Sequence, residues 1–145
     1  MSSFDGVRVD LYLRDETSPA VADQQRRARS RLEDRLGAAD VAVEEHSKRV
    51  PADDEDALYS TYADVRAWAD DAGVSLSPFF QRRESYDPTA QQVREMVTLP
   101  VLWLTVSERS ALLATYPHVD GAVATVSDAV DDLVDDRRPP NWAAD

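Results

Sequence analysis

Between residues 7 and 13 the chain alternates, with Val7, Val9, Leu11 and Leu13 separated by Arg8, Asp10 and Tyr12. That two-residue period predicts a strand with one buried face. Ser18 and Pro19 then mark a helix start, because a serine hydroxyl can accept a bond from a free amide and proline suits the first helical position. The apolar stripe of this helix is Val21, Ala28, Leu32 and Leu36, and Gly37 ends it. Residues 41–50 read as a second strand, apolar at Val41 and Val43 and polar in its second half, closed by Pro51. Asp53 to Asp56 suit the positive end of a second helix, which runs to Gly73 with Leu58, Tyr62, Val65, Ala69 and Ala72 on one face and Trp68 beside them.

Past Gly73 the pattern weakens. Residues 74–84, with Leu76, Phe79 and Phe80, read as a short edge strand broken by Pro78, and residues 85–95 as a polar, mobile connection. Residues 97–106 and 111–116 read as a hairpin turning at Ser107 to Ser110. A last helix over 122–135 inserts Val123, Val126, Val130, Leu133 and Val134, and 137–145 form a loosely held tail. The expectation is one α/β domain over 1–136, ordered βαβαββα, its mixed central sheet having a parallel first pair and a C-terminal hairpin followed by a helix.

Two segments join this order in resembling the thioredoxin and glutaredoxin fold. Residues 97–104, Val-Thr-Leu-Pro-Val-Leu-Trp-Leu, resemble the stretch in which that fold places a cis-proline before its third strand, which implies a cis Leu99–Pro100 bond. Residues 11–21 resemble its strand-to-helix stretch, with Ser18 and Val21 where the two redox cysteines would stand. The whole chain also resembles a family of small haloarchaeal proteins labelled helix-turn-helix domain, through residues 8–14, 47–50, 66–69 and 73–80. That label implies DNA binding. A helix-turn-helix joins its helices by three or four residues, whereas here a strand is predicted between the first two helices.

Charge changes the picture. Asp and Glu outnumber Lys and Arg by 28 to 16, the net charge is -12, and Lys48 is the only lysine. Such surfaces suit molar salt, where the screening length falls to about 3 Å, so a haloarchaeal cytoplasm is expected. The start, MSSFDG, has no signal-peptide pattern, and no apolar run approaches the roughly 18 residues needed to span a bilayer.

Absence of cysteine excludes disulfides, thiolate metal sites and cysteine nucleophiles. His46 and His118 read as surface or turn residues, so no metal site and no cofactor are expected. Ser18 and Pro100 are candidates for meeting an anionic ligand near a helix start. Arg26, Arg27, Arg29, Arg31 and Arg35 crowd the first helix; Arg26, Arg27 and Arg31 are candidates for phosphate or partner contact, against a solvated face with pairs such as Asp23 with Arg27. Phe79, Phe80, Arg82 and Arg83 form an aromatic and basic patch that could stack on a base. Trp103 and Leu104 belong to the core or to a dimer surface. The leading expectation is a non-catalytic thioredoxin-like binding domain whose partner is a protein or a second copy, ahead of a DNA-binding regulator and of an enzyme acting on an anionic small molecule.

Overall fold

β1 (Val7–Arg14) is paired on both edges, and Val9, Leu11, Tyr12 and Leu13 are buried by what packs on its two faces. In this computed structural model, which describes residues 7–36, 41–53, 55–109 and 111–134, it pairs parallel with β2 (Val41–His46) and antiparallel with β6 (Leu102–Glu108). β7 (Ala111–Tyr116) completes a four-stranded sheet of order β2-β1-β6-β7. The crossover from β1 to β2 is α1 (Pro19–Leu36). The predicted first strand and first helix therefore form where the periodicities put them, and the C-terminal hairpin forms from a shorter first strand and the expected 111–116, while Gly37, the turn residue Ser110 and the 137–145 tail lie outside the described residues.

Alternation along the strands sorts the core into two clusters. Val9, Leu11 and Leu13 of β1, with Leu102, Leu104 and Val106 of β6, pack with Leu32 of α1 and with Val126, Ala129 and Val130 of α3 (Val126–Val134). Tyr12 and Trp103, one residue out of phase, join a second cluster with Tyr62 and Val65 of α2 (Ala57–Ala72), Val50, Phe80, Val97 and Leu99. α2 is bounded as its sequence dictates: Asp56 accepts a bond from the Tyr59 amide at 3.0 Å, and Gly73 closes the helix at φ 71°, a left-handed geometry that glycine adopts at no steric cost. Trp68 lies within the buried face of α2, at 5 % exposure, not beside it.

Several boundaries differ from expectation. The predicted strand 41–50 is two strands, because the chain turns at Ser47 and Lys48 and β3 (Arg49–Pro51) joins a separate sheet of order β3-β5-β4. The polar stretch 85–95 is no loose connection: β4 (Gln81–Asp87) and β5 (Gln92–Thr98) form a hairpin there. Of the edge strand expected over 74–84, residues 81–84 open β4, and before them there is only a bridge between Ser75 and Val119. The predicted strand 97–106 is likewise split, with residues 99–101 carrying the chain from one sheet to the other, held by Leu99 N–H to Lys48 O at 2.9 Å and Arg14 N–H to Val101 O at 3.1 Å. The Leu99–Pro100 bond is not cis; the cis bonds are Ser77–Pro78 and Tyr116–Pro117. The last helix starts at Val126 instead of 122. Residues 118–124 make a small hairpin, β8 (His118–Asp120) and β9 (Ala122–Ala124), so Val123 is 51 % exposed and not a core residue. Thr125 and Asp128 set that start by capping each other's amides, at 2.8 and 3.2 Å.

Candidate functional site: a polar cavity and an arginine face

Because β1 and β2 run parallel, their carboxyl ends, at Arg14 and His46, reach the same edge of the sheet. Ligands of open α/β sheets bind at that edge. Here it holds a cavity of about 890 Å³. Arg14, Asp15 and Ser18 line it from β1 and the start of α1; His46, Lys48 and Arg49 line it from the turn between β2 and β3. Glu16, in the connection, sits at φ 51°, a left-handed conformation that turns the chain from β1 into α1. The wall is fixed by backbone bonds: Asp15 N–H donates to His46 O at 2.8 Å. Gln25, a polar residue on the inward side of α1, donates to Arg14 O at 3.0 Å and Val101 O at 2.6 Å. Its burial is thereby satisfied on both carbonyls.

Arg14 and His46 define the chemistry of the cavity. The Arg14 guanidinium donates from Nη2 to Leu99 O, while its Nε is sealed from solvent without a hydrogen bond among the described residues. Burial, and then the charge of Arg49, hold Arg14 below the usual guanidinium range. His46 accepts from the Trp103 indole N–H at Nε2, 2.9 Å away, so its proton sits on Nδ1, 2.7 Å from Ser47 O. Burial lowers its pKa, the Ser47 carbonyl opposes this, and the Arg14 charge adds to the lowering. With both ring nitrogens engaged, His46 offers no base. Ser18 Oγ accepts from Val21 N–H at 3.4 Å and acts as a helix cap. Five carboxylates, Asp15, Glu16, Glu45, Asp56 and Asp87, share the lining with Arg14, Lys48 and Arg49, and Ser18 has no free base beside it to activate it as a nucleophile.

On α1 the residues Asp23, Arg26, Arg27, Ser30, Arg31 and Asp34 share an outward face. Arg26 pairs with Asp23, where Arg27 was expected to, since three residues apart is also one helical neighbour. Arg31 reaches Asp131 of α3 at 2.7 Å, and Arg29 reaches Glu33 at 3.5 Å. Arg27 makes no ion pair among the described residues. Beside this face runs a groove of about 600 Å³, lined by Arg27 and Arg31 together with Phe79, Pro100, Leu102, Pro117 and Val126. Ser18 and Pro100, both candidates for one anion site, thus line different cavities.

The aromatic and basic patch does not form as expected. Phe80 is 4 % exposed because it packs edge-on to Trp103, and Phe79 is half buried. Arg82 is held by Glu95 at 2.6 Å and by the Tyr59 hydroxyl at 2.9 Å, and Arg83 donates to Gln81. Both histidines are interior: His46 is 5 % and His118 0 % exposed, because each ring finds a carbonyl for Nδ1 and an aromatic neighbour. Sequence reasoning missed Arg14, Lys48 and Arg49. The placement of Arg14 just past the last alternating apolar residue of the first strand was the available signal, since that is where a parallel sheet presents its site.

No two helices among the described residues are joined by a short turn: β2 and β3 lie between α1 and α2, and β4 to β9 between α2 and α3. No helix there is long and apolar enough to cross a membrane. Neither a curated protein nor a solved structure matches the chain. The family described as a helix-turn-helix domain matches residues 1–138, nearly the whole length, and the chain belongs to that family.

Proposed function

We propose that this chain is a non-catalytic binding protein that associates with nucleic acid through the outward face of α1. Family membership over residues 1–138 carries this reading, and the exposed Arg26, Arg27 and Arg31 supply a surface for it. Without a helix presented after a short turn, the contact is made to phosphates, which position a protein but do not read sequence. Asp23, Asp34 and Asp131 dilute the positive field, so the association is weak and salt-sensitive. Gel retardation of a duplex, at the lowest potassium chloride that keeps the protein folded, tests it. Replacing Arg26, Arg27 and Arg31 together by Gln abolishes retardation and flattens the salt slope by about one unit per lost contact. No retardation by the unmodified protein, or equal retardation by the variant, sinks the proposal.

A second reading is a thioredoxin-like domain, inactive in redox chemistry, that binds a protein partner or a second copy. Two observations favour it: a mixed four-stranded sheet of order β2-β1-β6-β7 with β1 and β2 parallel, and the apolar groove beside α1. Light scattering at rising concentration separates the readings, since a dimer seated on that groove dissociates when Phe79 is replaced by Asp. For the setting we infer a halophile's cytoplasm, on the strength of one lysine and a charge of -12.

A further inference from the structure

The groove beside α1 differs from the larger cavity in what lines it. In a chain with 28 acidic against 16 basic side chains, its lining holds Arg27 and Arg31 and no carboxylate. Arg31 shares its charge with Asp131 at 2.7 Å, whereas Arg27 makes no ion pair among the described residues. The charge of Arg27 is therefore left over at the rim. Below it the surface is apolar, made by Ala28, Phe79, Pro100, Leu102, Pro117 and Val126. Pro100, Leu102, Pro117 and Val126 are buried, and the backbone that carries them is tied down. Val101 O accepts from the Arg14 N–H at 3.1 Å and from the Gln25 amide at 2.6 Å, while Thr125 and Asp128 fix the start of α3 by capping each other's amides. A groove of about 600 Å³ with a fixed apolar floor and a few polar groups at its rim has the make-up of a small-molecule site.

We propose that this groove binds a small organic acid, a single carboxylate carried on an apolar or aromatic body. The carboxylate lies against the Arg27 guanidinium, whose planar fork matches its two oxygens. The body covers the floor from Ala28 to Val126 and leaves water in doing so, which supplies the part of the affinity that salt does not screen. A singly charged acid fits better than a phosphate ester, because Arg31 already has Asp131 and a second ligand charge would find no free cation in the lining. Arg27 lies both in this groove and on the α1 face proposed for nucleic acid, but the groove stands without that reading.

Titration with phenylbutyrate at neutral pH and constant potassium chloride, followed by amide NMR, tests the site. The expected result is saturable shifts confined to residues 24–31, 101–102 and 125–127. Binding should weaken about tenfold in Arg27→Gln, as the loss of a charge-assisted contact implies, and hold in Arg29→Gln, whose arginine is on the same helix but outside the groove. Phenylbutanol, the same body without the charge, should bind about as weakly as the acid binds Arg27→Gln; this comparison needs no variant. Acetate, the charge without the body, should give no saturable shift. A duplex that is never retarded leaves these results standing. Phenylbutyrate shifts that do not saturate, an unchanged Arg27→Gln titration, or phenylbutanol binding as tightly as the acid overturn the proposal. Shifts at the same amides on raising protein concentration, with no response to the acid, give the groove to a second copy and also overturn it.

Discussion

Trp103 gives its indole N–H to His46 and stacks on Tyr12 with ring centroids 4.0 Å apart, which places an imidazole between the core and the cavity wall. His118 is sealed in the same way, its Nδ1 2.7 Å from Thr115 O and its ring edge-on to Trp68. Burial lowers both pKa values from the ordinary 6.5. The unfolded chain therefore takes up protons near pH 6.5 while the folded one does not, so stability is complete above that pH and falls as pH drops below it, until the folded rings also titrate. Melting at fixed salt should show stability declining below about pH 6.5, the slope for each histidine steepening inside the window towards a ceiling of about 1.4 kcal/mol per pH unit. His118→Gln should remove its share of that slope, and a slope unchanged in His118→Gln refutes the assignment. Neither burial was legible in the sequence. An interior histidine depends on partners remote in the chain, such as Trp103, 57 positions from His46, and a lone polar letter carries no trace of them.

At the scale of elements, legibility followed burial. α1 and α2 each have a wet side and a dry side, so apolar spacing located them, and β1, β6 and β7 show as apolar runs because most of their residues are buried. The β4–β5 hairpin has no such contrast along most of its length: Arg82, Arg83 and Glu84 are successive exposed residues. Pairing and cross-strand charge hold it, with Arg82 and Glu95 at 2.6 Å and Arg94 reaching Asp87 and Asp53. Its outer end presents Tyr86 and Val93 directly opposite each other, 57 % and 64 % exposed. Its inner end is core, with Met96 at 5 % and Val97 at 0 %. Thermal melts should separate the ends: Met96→Ala costs about 2–4 kcal/mol by leaving a cavity, while Tyr86→Thr with Val93→Thr changes stability by less than about 0.5 kcal/mol. Comparable losses at both ends would mean that the exposed pair is covered in solution. The cavity was harder to foresee than any element, because Arg14, Lys48 and Arg49 come from two strands and a turn that only the parallel pairing and the break after His46 bring together.

Over the whole molecule the excess of carboxylates sets the terms. With 28 acidic against 16 basic side chains, even complete pairing would leave -12. The ion pairs that do form, such as Arg8 with Asp10 and Arg31 with Asp131, are largely exposed and of the kind worth little individually. Folding therefore gathers repelling charge onto a small surface, and the cost depends on screening. At molar salt the screening length is about 3 Å, shorter than most distances between surface carboxylates; at 0.01 M it is about 30 Å, comparable to the molecule itself, and every pair of like charges is felt. Circular dichroism against potassium chloride should show helical signal lost as salt is withdrawn and regained when it returns. Neutralising exposed acids far from both sites, Asp64, Asp70 and Asp71 to Asn, should move the midpoint to lower salt. If screening is the cause, chloride salts of different monovalent cations should act alike at equal ionic strength. A protein equally folded in dilute buffer would show that its carboxylates are spaced widely enough to tolerate one another, and the case for a halophile's cytoplasm would fall with it.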